Sequence, residues 1–450
     1  MTGLLSEISL FGQDIPWLEG LRERGRSSFV LPTAKSEAWR YTKLHSLAED
    51  DFIYAPSKFL EELEGTAESE ECCCHGDCNC HHHDGECHCG NREGGCSCGH
   101  HNLDLFVDLP FDAYQLHFYN GKFVPLYPAF PAGVEVMTLM QAVVEGEARN
   151  YAGKYIDLKQ YPFAALNSAF LEEGLFFVFE RNLCLSKPIA IIYHTNTTQH
   201  LASHVRNVFV AENNASVEIV EYYLHVGADK DRYFNNIVNE FYLAPQADVK
   251  HCKFQDEAFK AVHIGLNYVR IKAGAKYKSF CLQKGADLGR NETKADLLQE
   301  GACAEINAAY IMNGWATLDT TTDVEHMAAK TMSSQLIKGV VGGEARGVFQ
   351  GKIRIVKDAQ ETEGRQLHRA LLLSDTAEID VKPELEIFAD NVKCSHGAAC
   401  GELDADQLFY MRSRGIGEDE AKQILIDAYL QEVVNLIDNE EVREWIRSNV

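Results

Sequence analysis

The chain has 450 residues, 67 acidic and 42 basic, for a formal net charge of −25 at pH 7. Such a field repels phosphate backbones and anionic bilayers, so nucleic acid and membrane surfaces are poor partners for the protein as a whole, although a local basic patch is compatible with it. The sequence opens without a basic stretch followed by an apolar run, and nothing in it nears the roughly 20 apolar residues that span a bilayer. A soluble, cytoplasmic protein with reduced thiols is expected.

Residues 1–65 read as a helical N-terminal region anchored by Trp17, Leu21 and Phe29. Residues 66–102 break that composition: Glu, Cys, His and Gly dominate and large apolar residues are scarce. Such a segment buries too little surface to offset its ordering entropy and is expected to be disordered without a ligand. Nine of the 15 cysteines lie between Cys72 and Cys98, a clustering that suits metal binding better than a disulfide framework. Order resumes over 103–159, where Asn120-Gly121 between Leu116-His-Phe-Tyr119 and Lys122-Phe-Val124 signals a hairpin.

From about 160 to 390 the chain is mainly β. Runs such as Lys352-Ile353-Arg354-Ile355 and Glu378-Ile379-Asp380-Val381 alternate apolar and charged residues. Many such runs open on a turn residue and an Ala: Asn214-Ala215, Gln246-Ala247, Gly274-Ala275, Gly301-Ala302, Glu344-Ala345 and Thr376-Ala377, at intervals of 32, 28, 27, 43 and 32 residues. A strand-rich unit recurring about every 30 residues favours a parallel β-helix over a sandwich. Residues 391–450 read as a C-terminal helical domain. Asp404 is an N-cap with Gln407 completing a capping box, Gly415 suits a helix end, and a second helix starts in Glu418-Asp-Glu420. Its wide apolar stripe, which includes Leu425, Tyr429 and Val433, either packs on the β domain or docks another subunit.

Between Ser333 and Ile416 a long ordered series of motifs resembles the SufB/SufD family. It includes Lys338-Gly339, Gly347-Val-Phe-Gln-Gly-Lys-Ile353, Leu371-Leu-Leu-Ser374, Lys393-Cys-Ser-His-Gly-Ala398 and Leu408-Phe-Tyr-Met-Arg-Ser-Arg-Gly-Ile416. Glu37-Ala-Trp-Arg-Tyr-Thr42, the Cys-Ser-His-Gly form and the Arg-Ser-Arg-Gly-Ile ending are similar to the SufD branch rather than to SufB. The resemblance implies a right-handed parallel β-helix flanked by N- and C-terminal helical domains. It further implies a non-catalytic scaffold in iron–sulfur cluster assembly, paired with a SufB-type paralogue and docked to a SufC-type ABC ATPase through the C-terminal helices, with Leu408, Arg412, Arg414, Leu425, Tyr429 and Val433 as docking candidates. The sequence holds no Gly-x-x-x-x-Gly-Lys-Ser/Thr loop, so ATP hydrolysis is expected from that ATPase.

Cys394 and His396 are two residues apart, which on a strand places both on one face. Thiolate and imidazole both serve iron, but two ligands cannot hold a cluster alone. The resemblance assigns them to a transient iron–sulfur cluster shared with SufB, His396 foremost; the bland alternative is a packed Cys and a hydrogen-bonded His at a subunit contact. Cys400 is a further thiol close by. Cys184, Cys252, Cys281 and Cys303 read as buried core cysteines, and His326 as a satisfied histidine. In the Cys/His-rich insert, Cys72, Cys73, Cys74, Cys78, Cys80, Cys87, Cys89, Cys96 and Cys98 sit among His75, His81, His82, His83, His88, His100 and His101. Repeated Cys-x-Cys on a Gly-rich chain suits sequestration of zinc, copper or iron more than one tetrahedral zinc site. Two other functions compete: a metal-sequestering protein acting through the insert, and a β-helix enzyme acting on polysaccharide through paired carboxylates. Against the second, no acid/base pair is identifiable in the sequence. SufB itself is set aside on motif details alone.

Overall fold

The structure is a computed structural model that describes residues 15–42, 44, 47, 52–54, 107–197, 200–227 and 231–450. The Cys/His-rich insert and its metal-ligand candidates lie outside the described residues. The chain divides into two units, 1–55 with 109–450, and 56–108; the first carries the fold described below.

Its helices are α1 (Pro16–Ser28), α2 (Leu139–Glu145), α3 (Pro162–Ala169), α4 (Ala405–Ser413), α5 (Glu418–Val434) and α6 (Glu440–Arg447). The strands begin with β1 (Ile53–Tyr54), β2 (Tyr114–Tyr119), β3 (Lys122–Val124), β4 (Val134–Thr138), β5 (Leu175–Phe179), β6 (Ile189–Thr195) and β7 (Leu201–Ala211). They continue as β8 (Ser216–His225), β9 (Tyr233–Leu243), β10 (Asp248–Glu257), β11 (Val262–Ile271), β12 (Lys276–Gly285), β13 (Leu288–Leu297) and β14 (Cys303–Met312). The last coils are β15 (Thr317–His326), β16 (Met332–Val341), β17 (Arg346–Ile355), β18 (Thr362–Leu372), β19 (Glu378–Ile387) and β20 (Val392–Glu402).

Odd and even strands separate into two sheets. One runs β19-β17-β15-β13-β11-β9-β7-β5-β4, with β1 beside β7; the other runs β20-β18-β16-β14-β12-β10-β8-β6-β2-β3. From β5 and β6 onward every pairing is parallel, so the chain winds as a two-faced parallel β-helix with its core between the sheets. The expected hairpin is β2–β3, and Asn120 and Gly121 both take positive φ at its turn.

Register stacks like on like inside the coil. Phe177, Phe209 and Phe241 stack with ring centroids 4.6–4.7 Å apart, and Tyr193 lies 4.3 Å from Tyr223. These spacings match the distance between hydrogen-bonded strands. Between the aromatic columns runs an amide ladder in which Asn207 Nδ2 donates to Asn239 Oδ1 (3.0 Å) and Asn239 Nδ2 to Asn267 Oδ1 (3.1 Å). Such ladders satisfy polar groups that would otherwise be costly to bury.

Both outer faces are covered along much of their length. Trp39, Phe52, Phe163 and Phe170 pack on the outside of β7–β13, whereas Ile426, Leu430, Val433, Trp445 and Ile446 pack on Val220, Phe254, Phe280 and Val340 of the other sheet. The stretch 37–42 is a latch. Trp39 lies under Arg290, 4.0 Å from guanidinium to ring; Arg290 Nη1 and Gln350 Nε2 donate to the Ala38 carbonyl; Lys382 Nζ pairs with Glu37 at 2.7 Å.

Four sequence expectations need correction. The β-helix does not stop at 390, because β20 carries it to Glu402 and the helices begin only at Ala405. At its other end, residue 160 falls before α3, and β2 already belongs to the even-strand sheet. Within the described part of 1–65, only α1 and a short 3-10 turn at Glu37–Trp39 are fully described as helical, and most of the remainder is loop, turn and bend, with the strand β1 at Ile53–Tyr54. Cys184 is exposed rather than buried, unlike Cys252, Cys281 and Cys303.

Tyr310 explains two of the motif glycines. A Cβ at Gly339 would overlap its ring and one at Gly347 would crowd it, so both glycines make room for a phenol that bonds His368 Nε2 at 2.8 Å. Gly339→Ala is expected to destabilise the fold by about 1–3 kcal/mol through overpacking, read from urea unfolding midpoints; an unchanged midpoint would mean that Tyr310 moves aside freely.

Candidate functional site

Among the described residues the final coil has one uncovered end: β19 pairs only with β17, and β20 only with β18, so each offers a free edge. The two edges differ in character. β19 carries Pro383, which lacks a donor, and the charged Lys382, Glu384 and Glu386, all features that blunt an edge. β20 has no charged residue from Cys394 to Gly401 and is built there from Cys, Ser, His, Gly and Ala. Leu373, Ile387 and Phe388, at the corners of the same coil, are exposed. This end is suited to covering by another chain.

Register decides which β20 side chains share a face. Gly364, Gln366, His368 and Ala370 are buried positions of β18, and they pair with Cys394, His396, Ala398 and Cys400. The inward phase of β20 therefore carries both thiols and the imidazole in one row. His396 and Cys400 are exposed and Cys394 is half-buried, because no further rung covers them. Cys394 packs with Ile353, Leu385 and Val392, and a backbone bond from Gly364 favours its thiolate; burial outweighs this and pushes the thiol above its ordinary value. Burial also raises Cys400. Both thiols thus keep their protons at neutral pH until a metal displaces them. Among the described residues no three His, Cys, Asp or Glu side chains lie close enough to hold a metal ion. The row is an incomplete donor set facing outward.

The family described as SUF system FeS cluster assembly, SufBD core domain, matches residues 193–429, from β6 into α5 and more than half of the chain. The chain belongs to the SufB/SufD family. An iron–sulfur cluster assembly SufBD family protein of Synechocystis sp. is 33% identical over 335 residues, covering 72% of this chain and 74% of that protein. The SufD protein of Escherichia coli is 25% identical over 427 residues, covering 93% and 88%. That of Bacillus subtilis is 28% identical over 300 residues, covering 65% and 67%.

The SufBD-family motifs fall into two structural roles. Gly339, Gly347 and the latch residues 37–42 pack the coil, whereas His396 and most of the stretch 408–416 face solvent and Cys394 is half-buried. Of the docking candidates, Val433 is fully buried against the even-strand sheet and cannot touch a partner, so this part of the apolar stripe has the packing role. Leu425 and Tyr429 are half-buried, Tyr429 with Lys338 Nζ 4.1 Å from its ring centroid. α4 differs: none of its residues is buried, and it is fixed by the Asp404 cap, which accepts from the Asp406 and Gln407 amides, and by an Arg412–Glu418 pair at 3.2 Å. Leu408 is half-buried and Arg412 and Arg414 are exposed, while Phe409 and Tyr410, which sequence reasoning did not single out, are 73% and 58% exposed. The signal was four consecutive apolar residues, Leu408 to Met411, which helical spacing spreads round the helix so that they cannot all face the core. His326 is satisfied, by Thr331 Oγ1 at 2.8 Å and Ser333 Oγ at 2.9 Å.

Two imidazoles near the site make stability depend on acid. Burial holds His326 and His368 at about 4, below the ordinary 6.5. The unfolded chain therefore takes up protons first, and stability present above pH 6.5 is lost as the pH falls toward 4. At pH 5 the loss amounts to about 2 kcal/mol per imidazole. Urea midpoints at pH 7.5 and 5.0 should differ accordingly, with a smaller difference in His326→Gln; a flat profile would contradict the burial of neutral rings.

Proposed function

We propose that this chain is the SufD-type subunit of a SufBCD-type iron–sulfur cluster assembly complex. It acts as a non-catalytic cytoplasmic scaffold that pairs with a SufB-type paralogue and docks a SufC-type ATPase. The observation that carries this reading is the incomplete donor row Cys394, His396 and Cys400 on the uncharged free edge of β20. A sister β-helix laid on that edge would bring further thiolates, and the two chains together would complete ligation of a nascent cluster, which is the cargo rather than a resident group. His396 is the foremost ligand on this side, since its imidazole is exposed on the free edge in the same row as the two thiols. α4, exposed and aromatic, is the docking element for the ATPase, with Leu408, Arg412 and Arg414 beside Phe409 and Tyr410.

Anaerobic copurification with the two partners tests the assignment. His396→Ala should leave the complex intact and lower cluster content severalfold; normal cluster assembly by this variant would overturn the role of His396. The insert is proposed to sequester a soft metal ion, with iron held near the assembly site as the specific hypothesis. So many thiols and imidazoles within 30 residues, from Cys72 to His101, favour binding of zinc, copper(I) or iron. Deleting residues 70–101 should reduce bound metal and cluster yield, and unchanged yields would remove the idea.

A further inference from the structure

We infer that Gln366 is a positioning residue for His396, an inference that rests on the ligand role proposed above and extends it to a second residue. Gln335, Gln366 and His396 occupy equivalent inward positions on β16, β18 and β20, one rung apart. Gln335 Oε1 accepts from Thr322 Oγ1 at 2.6 Å and from Gln366 Nε2 at 3.2 Å. The Gln366 amide is thereby oriented: its NH2 is engaged toward the earlier rung, and its Oε1 is left as an acceptor. That oxygen has no hydrogen-bond partner, although Gln366 is only 2% exposed.

An unpaired buried acceptor is costly, and a donor brought within its reach relieves that cost. Here the space is also built. Gly351, on the facing sheet, lies so close that a Cβ there would overlap Gln366 Nε2, so the glycine keeps open the volume that the amide fills. The next inward side chain along the column is His396, which no later rung covers. Strands stand about 4.8 Å apart, within reach of an imidazole N–H turned toward the core. A ring that donates one N–H to Gln366 Oε1 presents the lone pair of its other nitrogen away from the core, toward incoming iron. Ligating histidines are commonly held this way, with the second nitrogen bonded to a carbonyl or carboxylate oxygen that fixes the tautomer. Gln366 supplies that oxygen.

The experiment uses the chain assembled with its two partners and loaded anaerobically with ferrous iron and sulfide. Wild type, Gln366→Leu, Gln366→Glu and His396→Ala are compared by the rate of cluster loss to a chelator, by the visible circular dichroism of the cluster and by thermal melting. Gln366→Leu removes the acceptor and should speed cluster loss on the order of 10-fold with an altered dichroism spectrum, while Gln366→Glu, which keeps an acceptor oxygen, should restore both. If Gln366→Leu matches wild type while His396→Ala loses the cluster, the positioning role is wrong and the ligand role stands. If His396→Ala also matches wild type, both fall. A faster loss in Gln366→Leu that tracks a lowered melting temperature and is shared by Gln366→Glu would show a packing role and overturn the inference.

Discussion

Replacing Arg290 by leucine is expected to lower the free energy of unfolding by about 3–5 kcal/mol. The guanidinium is fully buried on the outside of β13, bonds Asp319 and the Ala38 carbonyl through Nη1, and bonds Glu292 Oε1 through Nη2 at 2.6 Å. Asp319 is equally buried and also accepts from Thr42 and Thr321. Removing the cation leaves two carboxylates without a counter-charge in a place that water does not reach, which costs far more than the net worth of the pair. Adding Asp319→Leu to Arg290→Leu should recover about 1–3 kcal/mol, since neighbours in one network are not additive. The same change releases the ring of Trp39, and Trp39→Ala alone should cost about 3–5 kcal/mol. Urea unfolding of the four chains checks these values. A loss below about 1 kcal/mol for Arg290→Leu would mean that the 37–42 latch contributes little to holding the coil.

A second large effect is expected on association rather than on folding. Ala398 takes the inward phase of β20 yet is exposed, in a stretch free of charge. In the isolated chain, a lysine there reaches water, and stability should stay within about 0.5 kcal/mol of wild type. Against a sister strand the ammonium is trapped without a partner, the device by which natural edges resist pairing. A penalty near 3 kcal/mol corresponds to about 100-fold weaker binding, so Ala398→Lys should fail to retain a SufB-type partner in pull-down while melting as wild type does. Undiminished retention would place the contact elsewhere on the molecule.

The coil was legible in the sequence through its corners more than through its strands. Ala215, Ala247, Ala275 and Ala302 all lie buried where the odd-strand sheet turns into the even one, and Asn214, Gln246, Gly274 and Gly301 before them take positive φ. Ala345 and Ala377 sit at the opposite corner, where even strands return to odd ones. The anomalous 43-residue interval between Gly301 and Glu344 is the step from one corner to the other. Alternation was clear at the end of β17, where Lys352 and Arg354 reach water between the buried Ile353 and Ile355. β7, β9 and β13 are buried on both faces beneath N-terminal elements, so their period-2 signal is erased.

The site was legible as chemistry but not as structure. Cys394 and His396 stood out by spacing, yet Gly397, Ala398, Ala399 and Gly401 have low strand propensity, and a boundary at 390 puts them in the helical domain; pairing with β18 overrides that preference. Gln366 carries no signature at all, because a glutamine among alternating residues announces neither burial nor a missing partner. Val433 misled in the other direction: helical spacing shows that a face is apolar, not what covers it.

Amide hydrogen exchange, measured on this chain alone and then in complex with a SufB-type β-helix, tests the open-end pairing most directly. Free-edge pairing predicts new protection concentrated in Val392–Glu402, weaker gains at Leu373 and Phe388, and no change along β7–β13. Protection appearing on the covered faces, with β20 exchanging as fast as before, would contradict it.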